Sequence, residues 1–95
     1  EYDFDRPYEP LLGALSLGQL QCLVLVAEGL TSKEIALALR IRSHTVDERL
    51  KRCLKVLGVP SRREAGRIIA TSHNWETYQQ LVYQSPGLAN VPHAP

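Results

Sequence analysis

The chain has 95 residues, of which 44% are hydrophobic, and a formal net charge of +1 at pH 7. This length suits one small globular domain, and an ordinary apolar content argues against global disorder. No apolar run approaches the roughly 20 residues of a membrane span, and no signal-peptide pattern is present, so we expect no membrane partner.

The small net charge hides an uneven distribution of charge along the chain. Ten of the eleven Lys and Arg residues lie between Lys33 and Arg67, against four acidic residues, which gives this block a net charge of +6. The first ten residues instead carry −3. A basic middle segment is typical of nucleic-acid binding, although a solvated helical surface would give the same pattern.

Residues 1–14 are predicted to form an acidic arm or linker, because two prolines and a glycine interrupt them and no helical period is sustained. The first predicted helix follows Ser16, which can form a capping box with Gln19. Gly29 is expected to end it.

A second capping box, made by Thr31 and Glu34, predicts a short helix that ends near Arg40. After a turn of three or four residues comes a longer third helix. Its apolar stripe consists of Val46, Leu50, Cys53, Leu54 and Leu57.

Gly58 is expected to end the third helix, and Pro60 prevents its continuation. Ser61 and Glu64 form a third capping box, which opens a fourth helix. The inward residues of this helix are predicted to be Ala65, Ile68 and Ile69. Four helices without an alternating strand pattern indicate an all-α fold.

Residues 73–95 form a C-terminal extension that is poor in charge. Asn74 could cap a short fifth helix that runs to about Gln84, and the last ten residues are expected to be loose. One side of this helix would carry Trp75, Tyr78, Leu81 and Val82. Such a segment is expected to pack against the core, the acidic arm, a second copy or another protein.

Nothing in the sequence indicates an enzyme, a metal site or a cofactor. Cys22 and Cys53 stand in apolar helical patterns, which favours buried free thiols over a disulfide or a metal site. The three histidines are scattered, and no phosphate-binding glycine loop is present.

The segment 30–59 has the layout of a helix-turn-helix, in which a short braced helix precedes a longer basic helix. Opposite the apolar stripe of that longer helix stand His44, Glu48, Lys51, Arg52 and Lys55, with Asp47 and Arg49 on the flanks. An amphipathic helix of a simple bundle would also have a polar face. The tight turn and the segregated charge favour double-stranded DNA as the partner.

Residues 15–71 resemble the DNA-binding domain of LuxR-type (GerE-like) bacterial transcription regulators. The stretches "LVAEGLTSKEIA", "TV", "LGV" and "SRREA" carry the resemblance in order and in register. It implies a four-helix domain at 15–72 that binds an imperfect palindrome as a homodimer, in the bacterial cytoplasm at the nucleoid. The element "HTVD" is similar to an alphaproteobacterial subgroup of these regulators.

The resemblance also implies which residues contact DNA and which contact a second copy. The base-reading positions are Asp47, Glu48 and Lys51, with His44 as a base or backbone contact. The backbone contacts, some of them assigned from charge alone, are Thr31, Ser32, Lys33, Arg42, Thr45, Arg49, Arg52, Lys55, Arg62 and Arg63. The dimerisation residues are Gly66, Ile69 and Ala70.

Some residues depart from the pattern of the family. Asp47 stands where Lys is usual and Arg49 where His is common. Arg40 replaces a turn glycine, which predicts a left-handed residue at a cost of about 1 kcal/mol. Arg42 replaces the usual capping Ser, which leaves Ser43 as a substitute cap.

Two neighbouring carboxylates on a DNA-reading helix need an explanation. A carboxylate can accept a hydrogen bond from cytosine N4, and we expect Glu48 to do so. For Asp47 three roles stay open: reading a base, holding Arg49 or His44 in position, or complementing the helix dipole.

Two other functions are also considered. The chain could be a protein-interaction module that binds another regulator or RNA polymerase, in part through the 73–95 tail. A role like that of sigma-factor region four is less favoured, since 95 residues cannot also hold a core-binding region. The acidic arm could be a linker, or it could shield the basic face in cis.

Overall fold

The computed structural model describes residues 8–84, which fold into six α-helices without a strand in that range. The all-α fold is therefore as predicted. The helices are α1 (Tyr8–Gly13), α2 (Leu17–Ala27), α3 (Ser32–Leu39), α4 (Ser43–Leu57), α5 (Arg62–Ala70) and α6 (Trp75–Tyr83).

The starts of α2 and α3 confirm the predicted capping boxes. The Ser16 hydroxyl accepts from the Gln19 backbone N–H at 3.2 Å, and the Ser16 N–H donates to Gln19 Oε1 at 2.9 Å. Thr31 and Glu34 make the same reciprocal pair at 3.2 and 2.8 Å. Each box satisfies backbone donors that the first helical turn leaves unpaired.

The start of α4 differs from the expectation. Arg42 is the N-cap residue with extended backbone (φ −77°, ψ 148°), and its side chain makes no cap hydrogen bond. Ser43 is already the first helical residue, so its predicted role as a substitute cap is wrong. A side chain caps from the residue before the helix, where the backbone has left the helical region.

A residue with positive φ lies at or just after the C-terminal end of each of α2, α3 and α4. Gly29 (φ 96°) and Gly58 (φ 70°) stand where the sequence predicted helix ends. Arg40 (φ 59°, ψ 44°) ends α3, as expected for its turn position, and is the only non-glycine residue with positive φ among residues 8–84.

The core is built around α2, which packs against α3, α4, α5 and α6. A helix enclosed on most sides is apolar on most sides, and accordingly Leu20 and all of residues 22–25 are buried. From α4, Val46, Leu50, Cys53 and Leu57 enter this core, while Leu54 is half-buried. None of the six described helices has the length and hydropathy that crossing a bilayer needs.

α1 is a helix that the sequence patterns did not predict. Its Leu12 is completely buried in the common core, and the helix contacts α4. A six-residue helix is too short to show an apolar period, which is why pattern analysis misses it. Residues 1–7 lie outside the described residues, so the assignment of 1–14 as an arm or linker stays a prediction.

The predicted fifth helix after Asn74 is confirmed as α6. Tyr78 and Val82 are buried in the core, but Leu81, expected on the same side, is 47% exposed. Gln79 Nε2 donates to Glu28 at 2.8 Å, and the Tyr83 hydroxyl also donates to this carboxylate. The expected loose end, the last ten residues, lies outside the described residues.

Candidate nucleic-acid interface

One face of α4 is a continuous exposed polar surface. His44, Glu48 and Lys51 are all exposed, as are Arg52 and Lys55 further along the helix. The opposite side of the helix is the buried stripe described above. This is the two-faced arrangement that a helix needs if it is to rest on a domain and enter a DNA groove.

The helix that precedes the turn lies beside this surface. α3 packs against α4, and at its N-terminal end Thr31 and Lys33 are exposed while Ser32 is half-buried. The left-handed Arg40 makes the turn between the two helices. The predicted helix-turn-helix layout is thus present in the structure.

Asp47 has partners on two other helices. Its Oδ1 accepts from the Ser32 hydroxyl at 2.8 Å and from Arg62 Nη2 at 2.6 Å. Arg62 Nη1 also donates to the Ser32 oxygen at 2.5 Å. We call these three residues the Ser32–Asp47–Arg62 network, which joins α3, α4 and α5 at the exposed surface.

The network keeps the Asp47 carboxylate ionised. Hydrogen bonds from Arg62 first and Ser32 second lower the pKa of Asp47 below its ordinary value of 3.8. The hydrogen-bond partners of Asp47 are thus Arg62 and Ser32, and neither Arg49 nor His44 is among them. His44 contributes only a minor electrostatic attraction to the carboxylate.

Glu48 differs from its neighbour. Its carboxylate is exposed and makes no hydrogen bond or ion pair with any other residue of the described range 8–84. The two adjacent acids of α4 therefore have different surroundings: Asp47 is paired with a guanidinium, and Glu48 is available to an external donor.

Arg49 lies against α2 and is half-buried. A Cβ atom added at Gly18 would be only 3.0 Å from Arg49 Cζ, so the guanidinium covers the glycine. The positive charge of Arg49 also lowers the pKa of the Cys22 thiol, against the larger effect of burial, which raises it. Sequence patterns did not reveal this contact, although a glycine in the first turn of a helix is a weak signal of close approach.

The family follows from a comparison with known protein families. Residues 14–69, more than half of the chain, match the model of "Bacterial regulatory proteins, luxR family". The chain belongs to this family. A search of curated proteins and a search of solved structures gave no match. The matched range contains α2, α3 and α4 and nearly all of α5, with the whole surface described above.

The other backbone-contact candidates of this LuxR-family domain are spread around α4. Most of them are exposed and can contact a polyanion. The half-buried candidates are Ser32, Thr45, Arg49 and Arg62. The exposed members are Thr31, Lys33, Arg42, Arg52, Lys55 and Arg63.

Two of the three residues expected at a dimer contact lie inside the monomer. Ile69 is completely buried, and Gly66 is buried against α2, where an added Cβ would be 3.3 Å from Ala27 Cα. The helix that approaches the small residues of α5 is therefore α2 of the same chain. Ala70 is half-buried, so only this position keeps surface for a second copy.

Both cysteines are free and buried, as the sequence predicted. Burial raises the pKa of the Cys22 thiol, and burial next to Cys22 raises the pKa of Cys53 to about 12. Such thiols are protonated at neutral pH and chemically inert. In the described part of the chain, no group of three or more His, Cys, Asp or Glu residues could hold a metal ion.

Proposed function

We propose that this LuxR-family chain is a sequence-specific transcription regulator that inserts α4 into the major groove of double-stranded DNA. The observation that carries the proposal is the exposed face of α4, where basic side chains surround one unpaired carboxylate. A surface of this composition combines general attraction to phosphates with a group suited to base recognition.

Glu48 is the proposed specificity residue on this face. A free carboxylate gains from approaching DNA only where it meets a hydrogen-bond donor, and cytosine N4 is the donor that the major groove offers to acids. His44 and Lys51 flank it as further base-reading residues. Lysine there would favour guanine, whose O6 and N7 accept hydrogen bonds.

Selection of bound sequences from random DNA tests the proposal. We expect a defined preferred sequence, and Glu48→Gln should replace a preferred cytosine by adenine, which a side-chain amide pairs with. Arg52→Ala is the matched control, because a phosphate contact should weaken binding to all sequences without changing the preference. An unchanged preference in Glu48→Gln would contradict the role of Glu48.

Salt dependence provides an independent measurement. Each phosphate contact should contribute about −0.9 to the slope of log K against log salt concentration. Arg52→Ala and Lys55→Ala should each reduce the slope by about one contact. If the wild-type chain binds no DNA even at low salt, the proposed function is wrong.

We further propose that two copies bind an imperfect palindrome, with the surface around Ala27 at the dimer contact. One groove beside Ala27 is lined by Arg63 and Arg67 of α5, and another by Glu76 of α6. A two-fold axis through this region would bring the arginines of one copy opposite the glutamate of the other.

Sedimentation with DNA tests the dimer: two copies should bind a palindrome and one copy a half-site. Glu76→Arg should weaken the two-copy complex.

The narrower subgroup and the location in the cell are also proposals. The "HTVD" element at 44–47 supports an alphaproteobacterial type of regulator. A DNA partner supports a place in the bacterial cytoplasm at the nucleoid, without enzymatic activity or a cofactor.

The alternative, a module that binds RNA polymerase or another regulator, has lost two of its supports. Tyr78 of the low-charge tail is buried within the chain, and Tyr83 is half-buried against Glu28. The adjacent acids Asp47 and Glu48 would also suit a protein partner, but Asp47 is already paired with Arg62. The salt-dependence experiment decides between the two functions.

A further inference from the structure

The Ser32–Asp47–Arg62 network leads to a second conclusion about DNA recognition, which rests on the proposed function. Three hydrogen bonds of 2.5 to 2.8 Å join side chains whose positions in the sequence are up to 30 residues apart. The family resemblance assigns Ser32 and Asp47 to DNA contact, and Arg62 was expected to assist them from the start of the next helix. Their side chains are therefore bonded to one another on the surface that DNA would approach.

We infer that Asp47 is a positioning residue, which fixes the Arg62 guanidinium at the DNA-facing surface and reads no base itself. Asp47 Oδ1 accepts hydrogen bonds from both Ser32 and Arg62, so the acid is the common acceptor of the network. Arg62 is the partner that reaches furthest, from α5 across to α3 and α4.

The arginine keeps donors for DNA while it is held. A guanidinium has five N–H groups, and the network uses one on each of the two terminal nitrogens. The Arg62 side chain is 42% exposed, so the remaining N–H groups can reach a phosphate. A long flexible side chain that is already fixed loses less conformational entropy when it binds.

The pairing also explains how an acid is tolerated at this position. The charges of Asp47 and Arg62 balance each other at 2.6 Å, so the pair adds no net negative charge to the surface that faces DNA. With side chains 42% and 51% exposed, the ion pair contributes little to folding stability. Its effect is therefore expected in DNA binding rather than in the stability of the domain.

A charge-matched mutant cycle tests the inference. Asp47→Asn and Asp47→Ala remove the same charge, but asparagine keeps an oxygen that accepts from Arg62 and Ser32. Asp47→Asn should therefore bind the selected DNA at least about twofold more tightly than Asp47→Ala does. A difference of this size is within the range of coupling between contacting residues. In an Arg62→Ala background this difference should disappear, because the group that Asp47 positions is gone.

Base selection provides the second readout. If Asp47 positions Arg62, Asp47→Asn keeps the wild-type preferred sequence. If Asp47 reads a cytosine, Asp47→Asn should prefer adenine at one position, and the difference between Asn and Ala should persist in the Arg62→Ala background. A preference for adenine in Asp47→Asn, or an Asn–Ala difference that persists without Arg62, would overturn the inference.

These outcomes are separate from the failure of the proposed function. If the wild-type chain binds and selects DNA but the Asp47 variants behave as base-reading mutants, only the inference is wrong. If the wild-type chain selects no DNA, the proposed function and the inference fail together. Thermal unfolding of every variant should be close to wild type, since the exposed pair contributes little to stability.

Discussion

Arg40 shows how a single residue departs from the local rules of the chain. It has the left-handed backbone that Gly29 and Gly58 adopt at other helix ends, but it has a Cβ atom that crowds the backbone there. The conformation persists because the turn into α4 requires it: the Ile41 N–H donates to the Ala36 carbonyl at 3.0 Å. The strain is therefore maintained by the geometry of the helix-turn-helix.

Replacing Arg40 by glycine should stabilise the domain. We expect Arg40→Gly to raise the free energy of unfolding by about 0.5–1 kcal/mol, because relief of the left-handed strain exceeds the added entropy of the unfolded chain. Urea unfolding measures the change. Arg40→Ala is the control, since it removes the same side chain and keeps the strain; equal stability of the two variants would contradict the argument.

At the scale of elements, helix boundaries depend on short-range hydrogen bonds. α2 and α3 begin with capping boxes, and the Ser61 hydroxyl accepts from Glu64 at the start of α5. These groups are three residues apart, so the pattern is visible in the sequence. α4 has no side-chain cap, and its start depends on the preceding turn instead.

Removing the cap of α3 should destabilise the helix-turn-helix. Thr31→Ala is expected to lower the free energy of unfolding by about 1 kcal/mol, because the Glu34 N–H loses its acceptor. Thr77→Ala is the matched control at an exposed position inside α6, where alanine favours the helix and should change stability little. Urea unfolding without DNA should separate the two; equal effects would argue against a capping role.

α6 belongs to the core although it lies outside the range that matches the family. Val82→Ala should lower the free energy of unfolding by about 2 kcal/mol, because a fully buried side chain loses its packing. Leu81→Ala removes more atoms from the same helix, yet should cost less, since Leu81 is 47% exposed. Thermal unfolding of both variants checks this, and a larger loss for Leu81→Ala would contradict the packing of α6.

Over the whole molecule, burial couples stability to alkaline pH. Burial raises the pKa of the Cys22 and Cys53 thiols and of the Tyr78 and Tyr83 hydroxyls. The charged form is therefore disfavoured in the folded state, and these groups stabilise the fold fully only below their ordinary pKa values of 9.0 and 10.0.

The free energy of unfolding should thus be steady near pH 8 and fall from about pH 9 upward, as the unfolded chain releases protons that the folded chain retains. Urea unfolding between pH 7 and 11 under reducing conditions measures this. Tyr83→Phe should show a shallower fall above pH 10, and a stability independent of pH up to 11 would contradict the burial of these groups.

On the acid side, Asp47 acts in the opposite direction: its contribution to the free energy of unfolding is present above pH 3.8 and is lost as pH falls through its lowered pKa.

The sequence by itself determined the five helices from α2 to α6, most of their caps and the two faces of α4. These features depend on neighbours within about four residues, so apolar spacing and capping pairs record them. The family followed from the same local motifs. The buried cysteines were predictable for the same reason, because they stand in apolar stripes.

Only the tertiary structure decided which partners the exposed and small residues have. It paired Asp47 with Arg62, placed Arg49 over Gly18, and brought α2 against Gly66. These contacts join residues 15 to 39 positions apart, and no local period encodes such distances. The physical reason is that side chains on different helices meet only after the core has packed, so the fold decided which acid of α4 is paired and which is unpaired.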